Sequence, residues 1–432
     1  MNRRDLLKLG LVAAAGFALR PHVARATGDK KVLPPACPPS DVAARLAKLH
    51  ARPRHLRPLS PQLIKALKRI PGPVLVYDLA QIDENFLTFL EAKKDVEVHY
   101  AIKCCPNPQI LQRIASLGGG FDIASPAELD LALDTGVSPD KCIFSNTVKS
   151  PADIRHAFAK GVVAYLADSE QEVRKQAENA PRSKLYVRLL VNNKNATYPF
   201  SGKFGTTPEN ARKLLRLGKT LGLEPYGTHF HVGGQCFSAR AWESPAREAA
   251  AIFRDLQKEG IHLTFFDIGG GYPAPYLGRG IPTVKEILAV VDRVLKQELP
   301  DLPLTVAVEP GRAIAASAAA LSCRLMLRAS RSDGEWLHLD AGTYQGLNDD
   351  LKPFAYPVTV ADRFGARAAF TLCGPTCAGD DIISRGQMLP ASVTEGDLIV
   401  FDIGGAYSEC FFSRFNGIKP PTVHFIDGLL DT

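Results

Sequence analysis

Beyond Pro73 the chain repeats one unit about eight times: a short apolar run that reads as a strand, then an amphipathic stretch that reads as a helix. The strand-like runs fall at 96–103, 120–124, 142–146, 162–167, 184–190, 226–231, 263–268 and 304–309. Helical patterns lie between them, for example at 108–117, 126–134, 151–159 and 283–299, with Pro108, Pro126 and Pro151 at helix starts and Ser125 and Ser150 in cap positions. Such alternation leaves two architectures, a closed parallel barrel or a long doubly wound sheet. The polar residues decide between them. Lys103, Asp122, Asn146, Arg188, His229, His231, Gly269 to Gly271 and Glu309 sit at or just past the C-terminal ends of successive strands. A (β/α)8 barrel gathers its chemistry on that one rim, whereas a doubly wound sheet would concentrate it at a switch point.

The expectation is therefore an α/β chain with a barrel over 80–316. After it, short β-like runs at 336–339, 368–372, 398–403 and 422–426 alternate with Gly, Pro and Asp turns, which predicts an antiparallel β domain over 317–432, joined by a strand at 73–79. Two domains suit a chain of 432 residues, since single cores stop growing near roughly 250–300 residues. The Pro-rich stretch 27–72 reads as a linker or wrapping arm.

The formal net charge is +7, and part of the basic excess lies at Arg3, Arg4, Lys8, Arg20 and Arg25. No later segment interleaves basic and aromatic residues, so nucleic-acid binding is not expected. Residues 1–26 have the form of an export signal: a basic start, a weakly apolar run at 9–19, and small residues at Ala24 and Ala26. Arg3-Arg4 within Asn2–Lys8 resembles the twin-arginine signal and implies a periplasmic protein, and the run is shorter than the ~20 residues of a membrane span. The nine cysteines are scattered without zinc spacing, so neither a metal site nor a particular disulfide is expected.

Three local sequences carry reactive side chains in suitable settings: Ala101-Ile102-Lys103-Cys104, Glu309-Pro310-Gly311-Arg312 and Gly374-Pro375-Thr376-Cys377. A lysine can hold pyridoxal phosphate as a Schiff base, a carboxylate can keep the pyridine nitrogen protonated, and a thiol can return a proton to a carbon that has lost carbon dioxide. Gly269, Gly270 and Gly271 end a strand where bare backbone N–H groups can approach a phosphate, and Gly311 with Arg312 would meet the same anion from the next loop. Of the two histidines leaving the sixth strand, His231 is preferred over His229 for the ring face because it precedes a Gly-Gly turn.

With these motifs in order, together with Tyr100–Lys103, Gly120–Ser125, Lys203-Phe204-Gly205, His231-Val232-Gly233 and Asp267–Gly271, the chain from about Leu75 to Phe425 resembles the fold type III pyridoxal-phosphate decarboxylases. These are the ornithine, lysine and diaminopimelate decarboxylases, related to alanine racemase. The resemblance implies Lys103 as the Schiff-base lysine, His231 stacked on the ring and Glu309 at the pyridine nitrogen. It implies Gly234, Gly269 to Gly271, Gly311, Arg312 and Tyr407 around the phosphate, with Asp122, Glu128 and Arg188 in support. It also implies a homodimer in which the Cys377 loop serves the neighbour's site.

Two departures bear on the substrate and the cofactor. Gly234 stands where the family commonly has a serine, so a hydroxyl contact to the phosphate is missing. Ala378 stands where ornithine decarboxylases carry an acidic residue after the cysteine. Asp380 and Asp381 follow closely, and Tyr344 is placed with them at the substrate; Lys352, in a Lys-Pro-Phe-Ala-Tyr stretch, resembles the carboxylate grip of diaminopimelate decarboxylases. The leading expectation is decarboxylation of a basic or diamino acid of the ornithine or lysine type. A diaminopimelate-type or D-amino-acid decarboxylase is the first alternative. A non-catalytic decarboxylase-like binding protein is the second, opposed by the presence of Lys103, Glu309, Arg312 and Cys377.

Overall fold

All eight expected barrel strands form, and the seven that a polar group marks each end within about two residues of it. A computed structural model describes residues 41–51, 60–200, 202–276, 280–347 and 356–430. In chain order the strands are β1 (Val74–Tyr77), β2 (Glu97–Ala101), β3 (Gly120–Ile123), β4 (Cys142–Phe144), β5 (Ala164–Ala167), β6 (Lys184–Leu189), β7 (Ala196–Tyr198), β8 (Glu224–Phe230), β9 (Gly234–Cys236), β10 (Phe265–Asp267) and β11 (Thr305–Val308). The barrel closes in the order β2-β3-β4-β5-β6-β8-β10-β11 and back to β2, every pair parallel. Alternation along the strands explains the closure. Ile143, Ala164, Leu166, Tyr186, Phe265 and Ala307 form a cluster of their own, while neighbours such as Phe144, Tyr165 and Val187 join the larger core with the helices. The first set fills the barrel interior and the second seats the helical ring.

The helices start where the sequence marks them. Ser125 and Ser150 accept from the backbone N–H of Glu128 and Asp153 at 3.3 and 3.1 Å, with Pro126 and Pro151 at the first helical turn. Each such cap is worth about 1 kcal/mol. The helices Pro126–Asp134 and Pro151–Ala159 have the expected bounds.

The C-terminal sheet contains β12 (Ala319–Arg331), β13 (Gly334–Leu339), β14 (Val358–Val360), β15 (Arg367–Cys373), β16 (Ile382–Pro390), β17 (Leu398–Asp402) and β18 (Thr422–Phe425). The strand order is β14-β17-β12-β13-β15-β16, with β1 hydrogen-bonded to β12 and β18. It is a mixed sheet and not the wholly antiparallel one expected, because β1 runs parallel to β18 and β13 parallel to β15. Neither pair is joined by a hairpin, so no tight turn fixes an antiparallel direction.

The segment read as a linker contains two helices, Val42–His50 and Pro61–Arg69. Ser60 caps the second by accepting from Leu63 N at 3.1 Å, and Leu63 and Leu67 are buried against Val74, Val76 and Val400 of the sheet. The barrel and the sheet share one large hydrophobic cluster, from Leu46 and Leu75 through the barrel to Phe401. No helix among the described residues is long and apolar enough to cross a membrane. The export segment 1–26 lies outside the described residues.

Candidate active site

At the C-terminal rim of the barrel lies a cavity of about 610 Å3, lined among others by Lys103, Asp122, Arg188, His231, Gly234, Gly271, Glu309, Gly311, Arg312 and Tyr407. Ten of the residues singled out in the sequence therefore meet in one space. Ala101 is the last residue of β2, and a short 3-10 turn, Ile102–Cys104, then turns the Lys103 side chain into the cavity. Its Nζ is ion-paired with Asp122 at the end of β3. About half of the lysine side chain is exposed, on the wall of the cavity. Burial opposes its charge, yet Asp122, Tyr407 and Glu309 together outweigh it and raise its pKa. Burial pushes the Asp122 carboxyl up, against the pull of Lys103, and its Oδ1 has no hydrogen-bond partner.

Glu309, one residue beyond β11, is buried on the floor. Tyr186 O–H and Ser145 Oγ lie 2.9 Å apart, Ser145 donates to Glu309 Oε1 at 2.5 Å, and His229 Nε2 donates to Oε2 at 2.9 Å. Since Ser145 gives its proton to Glu309, the phenol must donate to Ser145, so two donors hold the carboxylate and a third backs one of them. Burial works against the charge, but His229, Lys103 and Ser145 prevail and hold this carboxyl well below the usual range. Asp267 behind it goes the other way: burial and the Glu309 charge push its pKa well up. His229, Asp267 and Glu309 also offer ligand atoms within 4.8 Å of one another, the one such cluster among the described residues.

His231 lines the cavity and His229 does not. Gly233 N donates to His231 Nδ1 at 3.0 Å, which leaves the proton on Nε2, and burial followed by Arg188 and His229 drives its pKa well below 6.5. The ring is a neutral imidazole with Phe200 against its edge at 4.9 Å.

The opposite end is built for an anion. A Cβ on Gly269, Gly270 or Gly271 would come within 2.1 Å of Phe230 O, 2.7 Å of Glu309 O or 2.5 Å of Gly233 O respectively, so only glycine lets these chains converge. Of the three, Gly271 lines the cavity while Gly269 and Gly270 form the turn behind it. Arg312 is buried beside them, Nη1 donating to Tyr276 O–H at 2.9 Å, with its guanidinium 4.8 Å from the Tyr407 ring. Tyr407 holds φ +56 and donates its N–H to Cys104 O at 2.8 Å, which ties it to the Lys103 turn.

These residues fit pyridoxal phosphate: an amine beside a carboxylate with one free oxygen, a buried carboxylate on the floor, a neutral imidazole on the wall, and a glycine cradle with a guanidinium at the end. Sequence reasoning missed Ser145 and named its neighbour Asn146, whose Nδ2 instead donates to Ala124 O at 3.3 Å. It also missed Tyr186, Tyr198, Phe200 and Phe411, aromatic residues with no motif around them. Glu128 accepts from Ala124 N at 2.6 Å and does not line the cavity.

The substrate-side residues are elsewhere. Cys377 is exposed, its N–H donates to Asn416 Oδ1 at 3.0 Å, and it does not line the cavity of its own chain. Tyr344 stacks on Phe415 at 4.8 Å, and its hydroxyl donates to exposed Asp380 at 3.1 Å. Asp381 is not a substrate ligand: it is buried, and accepts from Thr343 N and Oγ1, each at 2.9 Å, and from Thr376 N at 3.0 Å and Oγ1 at 2.7 Å. Both oxygens are consumed in joining the Thr343 and Thr376 loops. Lys352 lies outside the described residues.

Comparison with known proteins places the chain. Residues 79–316 match the family described as pyridoxal-dependent decarboxylase, pyridoxal binding domain. The chain is 32% identical over 374 residues to the lysine/ornithine decarboxylase of Selenomonas ruminantium, covering 85% of this chain and 94% of that one. It is 30% identical over 367 residues to antizyme inhibitor 2 of Xenopus laevis, covering 81% and 80%. The lysine decarboxylase structure from Selenomonas ruminantium with pyridoxal phosphate and cadaverine superposes with a TM-score of 0.78 at 31% identity, covering 86% of this chain and 94% of that one.

Proposed function

The chain belongs to the pyridoxal-dependent decarboxylases, and from that premise we propose that it is a homodimer acting on a diamino acid of the lysine or ornithine type. Its cofactor is pyridoxal phosphate, and its reaction is decarboxylation of a basic amino acid. Bound in the barrel mouth, the cofactor supplies an electron sink for the pair left when carbon dioxide departs. Lys103 Nζ would hold its aldehyde carbon, with Asp122 as counter-ion. Glu309 Oε1 and Oε2, fixed by Ser145 and His229, keep a negative charge for the ring nitrogen. The neutral His231 imidazole would face the ring without adding charge. Arg312 and the backbone at Gly271 and Gly311 would take the phosphate.

The remaining groups work from the other subunit. Cys377 Sγ would return a proton to the α-carbon, and it does so in the partner's cavity, since Cys377, Tyr344 and Asp380 lie outside their own. Phe415, stacked on Tyr344, is 43% exposed and would supply apolar area for the contact.

The observation that carries the substrate is the unequal state of two adjacent carboxylates. A distal ammonium buried beside Ala378 with no counter-ion would cost several kcal/mol. Asp381 is saturated by four donors, whereas Asp380 is exposed and engaged by the Tyr344 hydroxyl. Asp380 is thus the carboxylate for the distal amine. Kinetics of Asp380→Asn on lysine, ornithine, arginine and diaminopimelate test this: kcat/KM for the preferred diamino acid should fall about tenfold or more, about 1.4 kcal/mol. Unchanged values on every substrate would remove Asp380 from the reading.

We further propose export through the Arg3-Arg4 signal, on the sequence pattern alone. Replacing both by lysine should retain the protein in the cytoplasm; unaltered fractionation contradicts it.

A further inference from the structure

Gly234 lines the phosphate end of the cavity without a side chain, and its space is taken. It opens β9, whose partner β7 pairs Tyr198 directly with Gly234. A Cβ on Gly234 would meet Tyr198 Cβ at 3.2 Å and its ring atoms at 3.3 and 3.6 Å, so the tyrosine covers the volume a side chain at 234 would occupy. Tyr198 itself lines the cavity. Its ring centroid lies 5.2 Å from the Arg312 guanidinium, on a cation that Tyr407 approaches to 4.8 Å. The two-stranded flap is held in place: Asn193 Oδ1 accepts from Phe200 N at 2.9 Å and Asn193 Nδ2 donates to His231 O at 3.2 Å. One flap therefore sets Phe200 against His231 and Tyr198 against Arg312.

We propose that Tyr198 binds the cofactor's phosphate through its phenol hydroxyl, supplying from the flap the donor that Gly234 lacks. An anion held by Arg312 lies next to the Tyr198 ring, and an O–H donor to a doubly charged phosphate is a strong, charge-assisted bond.

The inference rests on the cavity being the pyridoxal-phosphate site, and the test separates the two. The full-length chain and its Tyr198→Phe variant are reconstituted with pyridoxal 5'-phosphate and, separately, with pyridoxal, and affinities are read from the absorbance of the bound cofactor. Tight binding of pyridoxal phosphate by the unmodified chain checks the site itself. The variant is expected to bind pyridoxal phosphate about tenfold more weakly and pyridoxal within about twofold of the unmodified chain. The phosphorus-31 resonance of the bound cofactor should also move. Unchanged affinity for pyridoxal phosphate, or equal weakening for both compounds, overturns a phosphate role for Tyr198.

Discussion

The barrel mouth and the Cys377 face of the sheet domain make opposite use of their polar groups. In the mouth, Glu309 is buried with both oxygens bonded, Lys103 has its counter-ion, and His231 is fixed in one tautomer. On the sheet face Cys377 and Asp380 are exposed, and Tyr344 and Phe415 present aromatic surface beside Asp380. In one chain the cofactor groups meet in a cavity, whereas Cys377, Tyr344 and Asp380 lie outside it. A second chain that closes the two faces on one another would desolvate both, and the electrostatics that matter for the reaction strengthen only then.

The largest effect should come from the mouth. Lys103→Ala removes the amine that Asp122 holds in place, and turnover should fall by about 10^3-fold or more, about 4 kcal/mol. Near-normal turnover would take the reaction away from this cavity. The next contrast sharpens the sheet face. Asp381→Asn replaces a carboxylate that accepts four hydrogen bonds by an amide that cannot accept them all, so stability should drop by about 2–4 kcal/mol in a thermal melt. Asp380→Asn, one residue away and exposed, should leave the melt within about 0.5 kcal/mol. If both variants melt alike, the division between a structural and a substrate carboxylate fails.

How far the sequence showed all this depends on the kind of signal each part leaves. The barrel was legible because its strands are bounded by polar ends and its helices by Ser-Pro starts, both local features. The sheet domain was less so. β12 opens with Ala319-Ala320-Leu321, which has no strand signature, and becomes a strand because β1 and β17 bury both of its sides. β16 carries Gly386 at φ +71 within a polar run, so its alternation is broken. In the site, Lys103, Glu309 and Arg312 were found through motifs, whereas Ser145 was displaced by one residue because β4 ends at Phe144 and not at Asn146. Asp381 read as a ligand because adjacency to Cys377 is visible in sequence and its bonds to Thr343, from a loop 38 residues away, are not.

The claim that each site is assembled from two chains is tested most directly by complementation. Lys103→Ala lacks a working mouth, and Cys377→Ala lacks a working sheet face, so each homodimer should be nearly inactive. Mixed in equal amounts under conditions in which subunits exchange, half of the dimers become hybrids with one site of two intact. Activity should then recover to about a quarter of that of the unmodified protein. No recovery, with hybrid dimers demonstrated by mass, would show that Lys103 and Cys377 must come from the same chain and would contradict the account.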